Sequence, residues 1–163
     1  MLLAIDPGPE ESAFAVLDTS LKPVNFGRLP NYIALEEINS WIIKDMPDVK
    51  HFAIEMVASY GMAVGKEVFE TVFWIGRFWE RADFPNKKLI YRKEEKMNLC
   101  GNMRAKDSNI RQALIDRFGP VGTKKKPGWF YGVSKDVWAA VACGVTYYDL
   151  YLQGMDELKR REA

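Results

Sequence analysis

Short apolar runs separated by turn-forming residues occupy the first part of the chain. Leu2 to Asp6 is an apolar run that ends on an acid, and Pro7-Gly8-Pro9 interrupts it. Ala13 to Leu17 and Pro23 to Leu29 follow at the spacing typical of short antiparallel strands joined by tight turns. The pattern therefore predicts three successive strands.

Helical spacing begins after the third run. Apolar residues recur at helical intervals from Ala34 to Ile43, and His51 to Glu55 is then typical of a strand that ends on an acid. A long stretch rich in aromatic residues, from about Met62 to Ala82, predicts a second helix, and Lys87 to Tyr91 predicts a short strand.

The last third of the chain is predicted to be mainly helical. Ser108 to Phe118 forms an amphipathic pattern for which Asp107 is a candidate N-cap. A loop rich in glycine, proline and lysine separates it from an apolar helix over Asp136 to Leu152. This order of elements predicts an α/β sandwich with a mixed sheet. We expect one domain over residues 1–155 and a charged C-terminal tail over 156–163.

Composition narrows the class of protein. The chain has 163 residues, 48% of them hydrophobic, which suits one domain with one core. Its two cysteines are too few for a disulfide framework or a zinc cluster. No basic leader and no apolar run of roughly 20 residues is present, so we expect neither a secretory signal nor membrane insertion, and a cytoplasmic location.

Charge is distributed unevenly although the total is only +1. Twelve basic and four acidic residues between Lys87 and Lys126 give this stretch a net charge of +8, which leaves −7 on the rest. A basic flank beside acidic pockets suits a metal-using enzyme that acts on a phosphate backbone. The simpler interpretation is a solvated surface with a basic bias.

Three acids lie at predicted ends of elements: Asp6, Glu55 and Asp136. If the first and fourth strands are neighbours, Asp6 and Glu55 project side by side, and the last helix can bring Asp136 to them. Clustered carboxylates repel one another unless a proton or a cation intervenes, and hard oxygen ligands suit Mg²⁺ or Mn²⁺. Each acid taken alone has a simpler explanation, as a strand end or a helix cap.

Four short motifs occur in one order along most of the chain. They are Ile5-Asp6-Pro7-Gly8 with Ser12, Ala53-Ile54-Glu55, the lysine-bearing segment from Tyr91 to Asp107, and Asp136-Val137-Trp138-Ala139-Ala140. Each motif is weak, but the ordered set resembles the RuvC-type Holliday junction resolvases, in particular their phage-encoded members. The resemblance implies an RNase H-like fold with a mixed five-stranded sheet flanked by helices.

The resemblance also implies an activity and partners. We expect a homodimeric endonuclease that cuts Holliday junctions and other branched DNA, with Mg²⁺, or Mn²⁺ as its substitute, held by the catalytic acids Asp6, Glu55 and Asp136. If it is phage-encoded, it would act in the cytoplasm of a bacterial host. In the lysine-bearing segment, Lys96, Arg104 and Lys106 are expected to contact the DNA backbone.

One position departs from the family pattern. Family members carry a second metal-binding side chain three residues before the final aspartate, and Val133 stands there in this chain. Ser134 and Asp107 are candidate substitutes. A site with three carboxylates is the alternative, so occupancy by one or by two metal ions stays open.

Two further segments have a structural and a functional interpretation. The aromatic stretch Phe69 to Trp79 could supply a dimer interface or only core. The segment Thr123 to Tyr131 joins Lys124, Lys125 and Lys126 to three aromatic residues, which could bind phosphates and stack on bases or could be a solvated loop beside core aromatics.

Three other functions compete with a junction resolvase. A general RNase H-like nuclease acting on flaps or RNA–DNA hybrids would use the same acids. A non-catalytic module that binds branched DNA would explain the missing fourth ligand. An actin-like ATPase or sugar kinase also begins with an aspartate after its first strand, but that architecture needs two such domains.

Overall fold

The computed structural model describes residues 1–44 and 46–154, and the side chains of residue 39 and of 41–44 are outside the description. Within these ranges five strands and five helices follow one another, and a π-helical turn extends the last helix. The bounds are β1 (Leu2–Asp6), β2 (Glu11–Leu17), β3 (Pro23–Pro30), α1 (Asn31–Lys44), β4 (His51–Met56), α2 (Lys66–Arg81), β5 (Asn86–Tyr91), α3 (Arg92–Cys100), α4 (Asp107–Phe118), α5 (Val137–Tyr147) and the turn Tyr148–Leu152.

The five strands form one mixed sheet in the order β3-β2-β1-β4-β5. The first three strands are antiparallel neighbours, whereas β1 and β4, and then β4 and β5, run parallel. The predicted α/β sandwich with a mixed five-stranded sheet is confirmed. Strand β1 lies at the centre, so its last residue ends in the middle of one edge of the sheet.

Alternation along the strands divides the core between the two faces of the sheet. One face, here called the α5 face, presents Ala4, Ala13, Ala15 and Ala53, and α5 packs across them. These small side chains let the helix lie close to the sheet. Because α3 and α4 cover α5 from outside, α5 is buried on nearly every side, which explains its apolar sequence.

The opposite face, here called the α1/α2 face, is filled by larger side chains. Phe14, Phe52 and Ile54 project from the sheet, and Ile75 and Phe78 reach them from α2. Phe52 stacks on Phe84 just before β5, with ring centroids 5.6 Å apart.

The turn after β1 is fixed by a small hydrogen-bond network. Ser12 donates to the Asn31 side chain at 2.6 Å, Asn31 donates to the Gly8 carbonyl at 2.8 Å, and the Gly8 amide donates to Ser12 at 3.3 Å. Ser12 and Asn31 are both buried. A Cβ at Gly8 would lie 2.5 Å from the Glu11 carbonyl oxygen, so the turn admits only glycine there. The network holds the chain that leaves Asp6.

Sequence patterning placed most elements but missed or shifted three features. Helix α3 was not predicted, because Arg92–Cys100 is too polar to show an amphipathic stripe. Lys106, and not Asp107, is the N-cap of α4, whose first residue is Asp107. The final helix is regular only over Val137–Tyr147 and continues as the π-helical turn.

The remaining expectations concern cysteines, membranes and the tail. Among the described residues Cys100 and Cys143 are free, and Cys143 is buried in the core. No helix in the described ranges has the length and apolar character needed to cross a bilayer. The charged tail predicted over 156–163 lies outside the described residues.

Candidate active site

Asp6 and Glu55 lie side by side at the carboxyl ends of two parallel strands. Ile5 of β1 pairs with Ile54 of β4, so the next residue on each strand is an acid. Both acids alternate onto the α5 face, because their neighbours Ile5 and Ile54 belong to the core of the other face. The adjacency predicted from sequence is thus a consequence of strand register.

Asp136 approaches from the start of the last helix. It occupies the N-cap position of α5, and its charge raises the pKa of Asp6. Its own carboxylate is half exposed and forms an ion pair with Arg28 of β3 at 3.2 Å, and Arg28 also contacts Glu11 at 3.1 Å. Asp136 is therefore held at the rim of the acidic site, on the side nearer β3.

A fourth acid, Glu95, joins this group from α3. Its side chain is completely buried, with 0% of its surface exposed. The charges of Glu55 and Asp6 both raise its pKa, after the larger effect of burial. The sequence offered no signal for this residue, because it lies within a run of charged residues on a helix that patterning did not detect.

Arg92, the first residue of α3, connects the acids. Its Nη1 lies 2.5 Å from Glu95 Oε2 and 3.7 Å from Glu55 Oε2, and its Nη2 donates to Asp107 Oδ1. Burial lowers the pKa of Arg92, but the acids Glu95, Glu55 and Asp107 together raise it by more than burial lowers it. The guanidinium therefore stays charged.

Burial and mutual repulsion of the acids raise their pKa values, and the nearby Arg92 does not fully compensate for this. Burial, followed by the charges of Glu55 and Asp136, raises the pKa of Asp6 to about 8 against the opposing effect of Arg92. Burial also raises the pKa of Glu55, although Arg92 lowers it. At neutral pH the site therefore favours a bound proton or a cation beside Asp6.

Two buried oxygens strengthen this conclusion. Glu55 Oε2 and Glu95 Oε1 are buried and have no hydrogen-bond partner within the described part of the chain, although Glu55 Oε2 has the Arg92 guanidinium 3.7 Å away. Unsatisfied carboxylate oxygens are costly unless a cation or proton meets them. Oxygen donors of this kind are those that Mg²⁺ and Mn²⁺ prefer.

The oxygen donors of these acids are of the type that a divalent cation prefers, but the carboxylates are too far apart to bind one together in this conformation. In the described residues, no three acidic, histidine or cysteine side chains stand close enough together to hold an ion. Asp6, Glu55 and Asp136 would have to move their carboxylates towards a common point. Asp136 is the most exposed of the three, and its ion pair with Arg28 is partly exposed to solvent. It therefore has the most freedom to move inward, by breaking that ion pair.

The position that departs from the family pattern is apolar in structure as well as in sequence. Val133 is 5% exposed and belongs to the core beneath α5. Of the two candidate substitutes, Ser134 accepts a hydrogen bond from the amide of Val137 on its backbone carbonyl. Asp107 bonds to Arg92, and its side chain is 88% exposed. Asp107 thus meets the site through an arginine.

The predicted DNA-binding residues occupy two places. Lys96 is half-buried on α3, close enough to Glu55 to lower the pKa of that acid. Arg104 and Lys106 are exposed between α3 and α4. Five other basic residues of the same stretch make internal contacts with aromatic rings, carbonyls or acids: Lys87, Lys88, Arg92, Arg111 and Arg117.

Lys124, Lys125 and Lys126 lie in a tight, exposed turn. Reciprocal backbone hydrogen bonds between Thr123 and Lys126, at 3.0 and 3.1 Å, close the turn and leave the three lysine side chains in solvent.

The aromatic residues that follow divide between core and surface. Trp129 stacks on Phe118 with centroids 5.5 Å apart, and Phe130 is fully buried against Trp138. Tyr131, 42% exposed, is the member of the trio that is open to a base.

Comparisons with known proteins gave matches of structure and not of sequence. No family model matches the chain, and no curated protein matches it. A Thermus thermophilus RuvC structure matches it with a TM-score of 0.62 at 14% sequence identity, over 91% of this chain and 94% of that chain. The fold is RuvC-like.

A second solved structure extends the comparison. T. thermophilus RuvC in complex with a Holliday junction substrate matches with a TM-score of 0.60 at 14% identity, over 90% of this chain and 91% of that chain. The RuvC-like sheet is therefore present over nearly the whole length of both proteins, and the predicted RNase H-like fold is confirmed. At this identity the match concerns the fold and not the chemistry.

Proposed function

We propose that this protein is a metal-dependent endonuclease that hydrolyses phosphodiester bonds in branched DNA, with four-way junctions as its main substrate. The observation that carries the proposal is the pairing of Asp6 and Glu55 at adjacent strand ends, with Asp136 within electrostatic reach, on a RuvC-like sheet. The proposal is also supported by the Holliday junction bound to one of the similar structures.

Asp6, Glu55 and Asp136 are proposed as the ligands of a divalent cation, Mg²⁺ or Mn²⁺. When bound, such an ion would supply Lewis acidity to the phosphoryl oxygen and lower the pKa of a water molecule. The chain's own residues prepare the site for it. Burial and repulsion make ionised Asp6 unstable alone, and Arg28 holds Asp136 at the rim, where it can turn inward.

Basic residues beside the acids are proposed to position the DNA backbone. Lys96 lies near Glu55 and can place a phosphate next to the acids, while Arg104 and Lys106 extend the positive surface along the start of α4. The lysine turn at 124–126 offers three further solvent-exposed charges to a second arm of the substrate. Several separated basic contacts favour a branched substrate over a single duplex.

A homodimer is proposed as the working form, with α2 at the contact. Phe69 and Phe73 are each 65% exposed, and Val72 between them is also exposed, so one side of α2 presents a continuous apolar surface. A second copy of the chain is the partner that fits, because a two-fold junction needs two equivalent sites and an isologous contact supplies them.

The decisive test of function is cleavage of a synthetic four-way junction in Mg²⁺, with a linear duplex of the same sequence beside it. We expect paired nicks in the junction, none in the duplex, and none in EDTA. Asp6→Asn should reduce the rate by about a hundredfold or more, since even residues that only support metal ligands cost 10–100-fold when replaced. Asp83→Asn, the same change at an exposed position between α2 and β5, is the matched control.

Other outcomes identify the competing functions. Equal cleavage of flaps or RNA–DNA hybrids and junctions would replace the proposal with a general RNase H-like nuclease. Junction binding that is equally tight in EDTA, with no cleavage in Mg²⁺ or Mn²⁺, would instead identify a non-catalytic binding module.

A further inference from the structure

Arg92 contacts more of the acids in and beside the candidate site than any other described basic side chain does. It is 23% exposed and contacts three carboxylates: Glu95 at 2.5 Å, Glu55 at 3.7 Å, and Asp107 through its second terminal nitrogen. A guanidinium keeps its charge throughout the accessible pH range and binds carboxylates and phosphates with a planar fork. It therefore acts at this site as a fixed positive charge.

Glu95 determines where that charge sits. Glu95 is completely buried on the same helix, one turn after Arg92, and its Oε2 forms an ion pair with the guanidinium at 2.5 Å. Its other oxygen, Oε1, is buried without a hydrogen-bond partner among the described residues. Separation of this pair would leave the Glu95 carboxylate buried without a compensating charge, so Glu95 holds the guanidinium in this position.

We propose that Arg92, positioned by Glu95, is a built-in cation of the acidic site and stands in the place of a second metal ion. The inference rests on the proposed function in assuming that Asp6, Glu55 and Asp136 bind a divalent cation. It goes further in fixing the number: one ion per chain, with Arg92 supplying the second positive charge next to the scissile phosphate.

Two observations favour one ion over two. The position that would complete a second set of ligands is Val133, which is buried in the core and has no donor atom. Glu55 already faces Arg92 on its buried oxygen Oε2, at 3.7 Å. A second divalent cation beside that oxygen would meet the guanidinium at close range and be repelled.

A purely structural interpretation of the same cluster makes a different prediction. If Arg92 only ties α3 to the start of α4 through Asp107, its removal should weaken folding and leave metal binding unchanged. If Arg92 neutralises Glu55, its removal should strengthen metal binding while it weakens cleavage, because one competing positive charge is lost from the acids.

The test counts Mn²⁺ ions bound per chain, by calorimetry and by electron paramagnetic resonance of the free ion. We expect one ion for the unaltered protein and none bound tightly for Asp6→Asn. Arg92→Gln should bind its first Mn²⁺ at least about tenfold more tightly or take up a second ion. Arg117→Gln, which removes an arginine from its ion pair with Asp149 on the other side of α4, should leave both count and affinity unchanged.

Arg92→Lys keeps the positive charge at this position. It therefore tests the inference even if the Arg92→Gln protein does not fold. It should still bind one ion with unchanged affinity, but its kcat on junctions should fall about tenfold or more, because lysine lacks the fork. Two tightly bound ions per unaltered chain would overturn the inference, as would a folded Arg92→Gln protein with unaltered count and affinity.

The inference and the proposed function can fail separately. A protein that cuts junctions but binds two ions keeps the function and loses the inference. One Mn²⁺ per chain with tighter binding in Arg92→Gln, but no cleavage of any DNA, upholds the inference and rejects the function.

Discussion

The two faces of the sheet are built in opposite ways. The α5 face is lined with alanines and covered by a helix that lies close to the strands. At its edge the acids Asp6 and Glu55 are half-buried and Glu95 is completely buried. The α1/α2 face is filled by large aromatic and branched residues and carries no buried charge among its described members.

The contrast separates stability from function. Large apolar side chains remove more surface from water than alanines do, so the α1/α2 face should contribute more to the free energy of unfolding for each residue. The α5 face contains buried carboxylates that destabilise the fold unless a cation is present, which is typical of active sites. Substitutions on each face should therefore change the free energy of unfolding by different amounts.

Truncation of a core aromatic on the α1/α2 face should give the largest loss. Phe78 is 0% exposed and packs against Trp74 with centroids 5.8 Å apart. Phe78→Ala should lower the free energy of unfolding by about 3–5 kcal/mol, measured by urea denaturation. Phe73→Ala, the same change on the exposed side of α2, should cost less than about 0.5 kcal/mol at low protein concentration. Equal losses would contradict the assignment of the core.

Neutralisation of an acid at the edge of the α5 face should raise the free energy of unfolding instead of lowering it. The pKa of Asp6 is raised from 3.8 to about 8, so the acid is harder to ionise when folded than when unfolded. The metal-free protein should therefore lose stability as pH rises from about 4 to about 8. Asp6→Asn should lose less, because only Glu55 and Glu95 are left with raised pKa values. At pH 8 it should be more stable than the unaltered protein by about 2–3 kcal/mol, a figure reduced from the full shift for partial exposure.

Thermal unfolding in EDTA at several pH values measures this difference. Added Mn²⁺ should raise the melting temperature of the unaltered protein and not of Asp6→Asn, because only the former gains a ligand. Parallel stability curves for the two proteins between pH 4 and 8 would show that Asp6 is not destabilised by its surroundings.

Two glycine-to-alanine changes compare how closely each face is packed. A Cβ at Gly144 of α5 would lie 2.7 Å from Leu17 and 3.1 Å from Ala4, both buried, whereas a Cβ at Gly76 of α2 meets nothing within 4 Å. Gly144→Ala should destabilise by about 1–2 kcal/mol net of helix propensity. Gly76→Ala should stabilise by up to about 1 kcal/mol. Urea denaturation of both variants measures these changes. If both substitutions change the free energy of unfolding in the same direction, α5 is not closely packed against the sheet.

Substitution of the exposed aromatic residues of α2 should change folding stability least and the oligomeric state most. Replacement of Phe69 and Phe73 together by serine alters exposed side chains and should change the free energy of unfolding by less than about 0.5 kcal/mol. Sedimentation should nevertheless shift the protein from dimer to monomer. Val24→Ser, an exposed apolar residue of β3, is the control. A protein that is already monomeric before substitution would remove α2 as the proposed contact.

Local patterning was sufficient for the strands and for the three proposed ligands. Each acid follows or opens an element whose alternation or apolar character is visible in the sequence, as in Leu2–Asp6 and His51–Met56. Pairing of these two strands in parallel then puts Asp6 beside Glu55. Whether these acids bind metal stays a prediction.

The sequence by itself determined the order of elements and the sheet, because alternation, turns and helical spacing are local properties of the chain. Only the tertiary structure decided that Glu95 is buried beside Glu55, that Arg92 lies between them, and that Asp107 meets the site through that arginine. Helix α3 is polar in sequence, and its charged residues look like a solvated surface until α4 and α5 close over them. Burial of a charged residue depends on long-range packing, which leaves no periodic signal in the sequence.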